Sequence, residues 1–222
     1  MIIIIYLIYK WTKICYLIAK KLTHAKPTHL WIQGDHHMTL TEALKEHSRT
    51  THDSVDHLVM SMQPFASLEN YRKFLPAQYA FHQTVNPIYH NDALAKRIDG
   101  LAELARFERV KSDMADLQVA PFTGKLPTPS FSDDEAIGWL YCVEGSNVGA
   151  AILYKEAGKI KLSDEHGASH LAAHSDGRLA HWRDTKAKID TLETAIDKAA
   201  TLKGADDAFA YFKQVIRAIY GE

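Results

Sequence analysis

Gly145 and Gly149 stand four residues apart in Glu144-Gly145-Ser146-Asn147-Val148-Gly149-Ala150-Ala151, a stretch that otherwise reads as a buried helix. A helix-interior glycine costs about 1 kcal/mol relative to alanine, and a pair at this spacing strips the side chains from one helical face. The bare backbone can then approach something flat or bulky. Two occupants fit: a neighbouring helix that crosses closely, or a planar cofactor under a helix that bends over it.

A second feature lies upstream. Leu40 to Met62 reads as an amphipathic helix, opened by the capping box of Thr39 and Glu42 and carrying Leu40, Leu44, Val55, Val59 and Met62 on its apolar stripe. His52 falls on that stripe, with Asp56 one turn further on. A carboxylate at this spacing can accept a hydrogen bond from one imidazole nitrogen and leave the other free for a metal. His52 could equally be a packing residue, and His47 and His57 on the same helix are rivals.

The remaining segments also have helical period, and none alternates like a strand. Leu68 to Tyr89 predicts a helix bent or broken at Pro76, and Leu94 to Leu117 predicts another through Ile98, Leu101, Leu104 and Phe107. Ala120 to Ser132, with Pro121, Gly124, Pro127 and Pro129, is a loop, and Ser132 with Glu135 caps a helix reaching about Lys159. A helix over Arg178 to Leu202, stopped by Gly204, and a last one from Asp206 complete an all-α reading without repeats.

Chain length (222 residues), 46% hydrophobic content and a formal charge of −1 suit one soluble globular domain with a full core. The 26 Lys and Arg are dispersed, so nothing points to nucleic acid. Cys15 and Cys142 are the only cysteines, which supplies neither a disulfide framework nor a thiolate zinc site and fits a reducing cytoplasm. Thirteen histidines invite a metal hypothesis, but His166, His170 and His174 lie among Ser163, Asp164 and Gly167, which predicts a solvated connection rather than a zinc-binding helix face. No Glu-x-x-His pair of a di-iron bundle is present.

Residues 1–37 differ in character. Lys10 and Lys13 interrupt the apolar run Ile2 to Tyr9 before it reaches the ~20 residues needed to span a bilayer, and a secretory pattern is lacking. His24 to His37 is aperiodic. The expectation is an N-terminal extension outside the fold, with the domain running from Met38 to Glu222; a membrane-associating leader is the alternative.

The segments Leu44–Asp53 and Gly138–Gly149, in this order, resemble the proximal and distal helices of haem oxygenases, most of all the bacterial, biliverdin-producing branch. The resemblance implies a single all-α domain that clamps haem b between its first helix and a kinked distal helix. It implies that His52, seven residues after Lys45, is the proximal iron ligand, oriented by Asp56. A histidine rather than a thiolate leaves the iron able to bind oxygen without driving early O–O cleavage. Gly145, Ser146, Asn147 and Gly149 would form the distal wall over bound O2, directing attack onto a meso carbon of the haem itself. Ser146 stands where mammalian members carry an aspartate, and His82 matches a position joining a distal water network; a buried histidine bonded to a backbone carbonyl explains His82 equally well. Lys45 and Tyr141 would hold the haem propionates. The implied reaction yields biliverdin, of the IXα isomer, with carbon monoxide and ferrous iron, on electrons from a reductase or ferredoxin. A haem carrier or sensor on the same scaffold and a histidine-rich zinc protein are the competing readings.

Overall fold

The computed structural model describes residues 37–221, and the expectations for residues 1–36 lie outside them. Met38–Glu222 form one compact unit. Helix α1 is Leu40–Ser61 and helix α2 Leu68–Tyr89. The expected capping box opens α1: Thr39 Oγ1 accepts from the Glu42 amide at 3.3 Å, and the Thr39 amide donates to Glu42 Oε2 at 3.0 Å. Ser67 caps α2, which runs unbroken through Pro76, contrary to the expected bend or break. Pro76 has no N–H for the carbonyl four residues back, but Arg72 sits on the exposed face, where water can satisfy that oxygen.

The helix expected over Leu94 to Leu117 is three pieces: α3 Asp92–Ala95, a 3₁₀ turn Ala102–Leu104, and α4 Phe107–Asp116. Gly100, at φ +70°, breaks the run. Leu94, Ile98 and Leu101 are nonetheless buried, so their spacing reported the core and not the helix. The Ser132–Glu135 box opens α5, Asp133–Lys159, which is continuous over 27 residues. The connection that follows contains a 3₁₀ turn, Ser169–Leu171, before α6 Arg178–Asp190 and a third 3₁₀ turn at Glu193–Ala195. Helix α7, Lys198–Tyr220, starts where Asp197 Oδ1 accepts the Ala199 and Ala200 amides, at 2.9 and 3.1 Å. The single helix expected up to Leu202 is therefore split, and Gly204 lies inside α7.

Helix α5 is central. It crosses α7 so closely that a Cβ on Gly138 would lie 2.1 Å from the Thr201 carbonyl oxygen, and one on Gly204 2.0 Å from that of Glu135. Among the described residues α5 alone is long and apolar enough to cross a membrane, and much of it is buried inside the domain. Ile137, Trp139 and Leu140 of α5 meet Phe74 and Ala77 of α2, Leu40 and Leu44 of α1, and Ala205, Ala208, Val215 and Ile216 of α7 in the main core. A second cluster gathers Tyr71, Leu75, Val110, Met114, Leu162 and Leu171. Each fully buried Leu or Ile contributes about 1.5–3 kcal/mol relative to exposure. Both α1 and α5 pack chiefly on α7 and only sparingly on each other.

Candidate functional site

His52 presents its ring on the surface of α1, 56% exposed, with Nδ1 3.4 Å from Asp56 Oδ2 and 3.9 Å from Asp53 Oδ1. Phe209 of α7 meets it edge-on, ring centroids 6.0 Å apart. Burial raises the Asp56 carboxyl and the His52 charge pulls it back. The rival His47 is tied down: its Nε2 lies 2.7 Å from Asp206 Oδ2, joining α1 to α7. With Nδ1 turned to Asp56, the His52 Nε2 lone pair is the one available to a ligand.

On α5, the spacing of Gly145, Gly149 and Ile152 places them on one face. A Cβ on Gly149 would meet nothing within 4 Å, and Ile152 is exposed. Gly145 differs, because a Cβ there would touch the six-membered ring of Trp182 on α6 at 3.4 Å. The expectation of one shared steric role is thus corrected: Gly149 borders open space, whereas Gly145 accommodates a packed indole. Trp182 also lies against Tyr141, centroids 5.2 Å apart. Burial, then Cys142 and Asp190, pushes the Tyr141 hydroxyl up to about 12, so it stays a neutral donor. Lys45 is exposed on α1.

Ser146 is exposed, but its Oγ donates to the Val143 carbonyl at 2.6 Å, which occupies its proton within the helix. Asn147 is buried and turned away from the open face: its Nδ2 donates to Glu144 Oε2 at 3.1 Å, and Arg178 Nη1 donates to its carbonyl at 2.8 Å. As candidates for the distal wall, both side chains are therefore engaged elsewhere.

Behind α5 lies a buried polar cluster that sequence reasoning missed. Glu144 is fully buried; its Oε1 accepts from Tyr89 Oη at 2.5 Å, and its Oε2 lies 3.0 Å from His181 Nε2. Burial and the Glu144 carboxylate keep Tyr89 protonated. Asp113 lies 2.6 Å from His170 Nδ1 and accepts the Ser169 and His170 amides; burial raises its carboxyl, but the bonds and charge of His170 prevail and hold it below the usual range. His170 is thus buried and paired, and His174 stacks on His181 at 3.5 Å, whereas His166 is exposed, so the connection expected to be solvated is so only in part. Arg106 donates to the His170 and Ala172 carbonyls, each at 2.8 Å.

His82 is buried near His170, centroids 6.3 Å apart, and its Nδ1 has no protein partner. Burial, then His170 and Arg106, push it down to about 3, which keeps it neutral. Arg106 Nε and Nη2, His170 Nε2 and His174 Nε2 are likewise buried without partners. Atoms of this kind are satisfied by ordered water. The sequence signals for the cluster were His82, already singled out, and Glu144, a charge inside an apolar helix beside Gly145.

The donor set and shape suit a haem. An exposed imidazole, His52, stands on α1, where the rival His57 is exposed as well, and the bare Gly149 backbone with an exposed aliphatic neighbour gives a flat apolar wall on α5. Fold and site together define an all-α haem-binding enzyme. The family model described as Heme oxygenase matches residues 38–218, and the chain belongs to the haem oxygenase family. It is 37% identical over 172 residues to heme oxygenase PigA of Pseudomonas aeruginosa, covering 76% of this chain and 87% of that protein. A heme oxygenase of Xanthomonas campestris pv. campestris is 30% identical over 113 residues, 50% of this chain and 68% of its own. The crystal structure of the NO- and CO-bound heme oxygenase of Neisseria meningitidis aligns with a TM-score of 0.78 at 45% identity, covering 83% of this chain and 93% of that one. The protein is accordingly an oxidoreductase that degrades haem.

Proposed function

We propose that His52 is the axial ligand of a haem substrate seated between α1 and α5, and that the ring opens at the α-meso carbon to give biliverdin IXα. The observation that carries the assignment is the contrast between His52, exposed with Asp56 and Asp53 beside Nδ1, and His47, bonded to Asp206. Bound haem supplies the iron at which oxygen is activated, and the electrons come from a separate ferredoxin or flavin reductase.

The chain's own residues set the conditions. Asp56 fixes the His52 tautomer, so a neutral nitrogen faces the iron. Gly149 lets the α5 backbone come close to the macrocycle. No free acid stands on that face: Glu144 is turned inward to Tyr89 and His181, and the Ser146 hydroxyl is spent on Val143. A poised proton donor would cleave the O–O bond before the ring is attacked; its absence from the described distal face favours attack on haem. Lys45 and Tyr141 anchor the propionates and so choose which meso carbon meets the oxygen. The test is aerobic turnover of the haem complex with a reductant, followed by chromatography of the biliverdin. Predominant IXα is expected; a IXβ or IXδ product would show that other contacts seat the ring.

A further inference from the structure

Glu144, His174 and His181 bring a carboxylate oxygen and two imidazole nitrogens to within 4.8 Å of one another. They come from α5, the connection before α6, and α6 itself. Two histidines and one carboxylate are a donor set for divalent first-row metals, ferrous iron among them. The Glu144 Oε2 to His181 Nε2 distance, 3.0 Å, is close to the edge between adjacent ligands on such an ion with bonds near 2.1 Å. His174 Nε2 is buried and has no partner.

We propose that these residues form a divalent-cation site, and that its occupant in the working enzyme is the ferrous ion released when haem is opened. The proposal rests on the haem oxygenase reading of the chain. Glu144 precedes Gly145, so the site adjoins the distal helix on its inner side. The ion takes the place of the hydrogen between His181 Nε2 and Glu144 Oε2, and that proton moves to Nδ1 or to solvent. His174 swings off the His181 ring to bring its nitrogen into line; it is half-buried, in a connection outside the regular helices. Arg106, Arg109 and Arg178 lie close enough to oppose added positive charge, and the carboxylates of Glu144 and Asp176 offset them only in part. This balance makes a site of moderate affinity, suited to an ion in transit rather than a resident metal.

The test begins with the haem-free full chain. Titration with Co(II) or Zn(II) is expected to show one more bound ion in the unmutated protein than in His174→Ala, or an affinity at least tenfold higher for that ion. Co(II) should broaden the ring resonances of His174 and His181 in the unmutated protein, a readout needing no variant. Equal stoichiometry and affinity in the two proteins, or unbroadened rings, would overturn the site. During single-turnover haem degradation, trapping of Fe(II) by an external chelator should lag behind biliverdin formation and catch up severalfold faster in His174→Ala at an unchanged biliverdin rate. An identical lag would overturn the assignment to ferrous iron. Because metal binding is read without haem, failure of the site and failure of the haem oxygenase reading are distinguishable.

Discussion

His52 and His47 lie on one helix, and what separates them is what each ring is already doing. His47 spends Nε2 on Asp206, so His47→Ala is expected to cost only about 0.2–1 kcal/mol, typical of an exposed pair, and to leave turnover intact. His52→Ala is expected to abolish histidine-ligated haem spectra and biliverdin production together; the reverse pattern in Soret spectroscopy would transfer the ligand to His47. The sequence offered the His52–Asp56 spacing, but choosing between the histidines required a family motif, because Asp206 is 159 residues from His47. Gly149 supports a sharper expectation. With no atom near its missing Cβ, Gly149→Ala should gain about 1 kcal/mol in helix stability while its methyl narrows the haem slot and slows turnover at least severalfold. Gly145→Ala only nudges Trp182. A Gly149→Ala enzyme that melts higher and turns over normally would remove α5 from the haem wall.

At the scale of elements, the close helix crossing that a glycine pair suggests does exist, but in another place. It is made by Gly138 on α5 and Gly204 on α7, one glycine from each helix. Such a pair leaves no i, i+4 mark, and Gly204 alone reads as a helix stop. Propensity set that expectation; tertiary packing overrode it, because α7 gains more from approaching α5 than it loses by carrying a glycine. Gly138→Ala and Gly204→Ala should each destabilise the fold by about 1–3 kcal/mol or more, since the overlap is with backbone carbonyls and no rotamer relieves it. Thermal melts within a degree of the unmutated protein would show that the helices part at no cost. The other boundaries follow the same logic: both capping boxes were legible because each is local, whereas the break at Gly100 came from a left-handed turn inside a run of correctly spaced core residues.

For the whole molecule, what the sequence concealed is most of the polar interior behind α5, assembled from α2, α4 and the Arg106 that precedes it, the connection before α6, and α6. His82 couples that interior to the stability of the entire fold. In the unfolded chain a histidine takes its proton near 6.5, whereas buried His82, beside His170 and Arg106, resists until about 3. Below pH 6.5 the unfolded state therefore binds more protons, and stability falls as the pH drops through the window from 6.5 to 3. His174 acts in the same direction, less strongly because it is partly exposed. The conservative variant His82→Gln removes one such proton. Its unfolding free energy, measured by denaturant titration between pH 6.5 and 4, should decline less steeply than that of the unmutated protein, by up to about 1.4 kcal/mol per pH unit. Parallel slopes would mean that His82 is protonated in the folded state, with water or a shifted carbonyl beside Nδ1 accepting the added hydrogen.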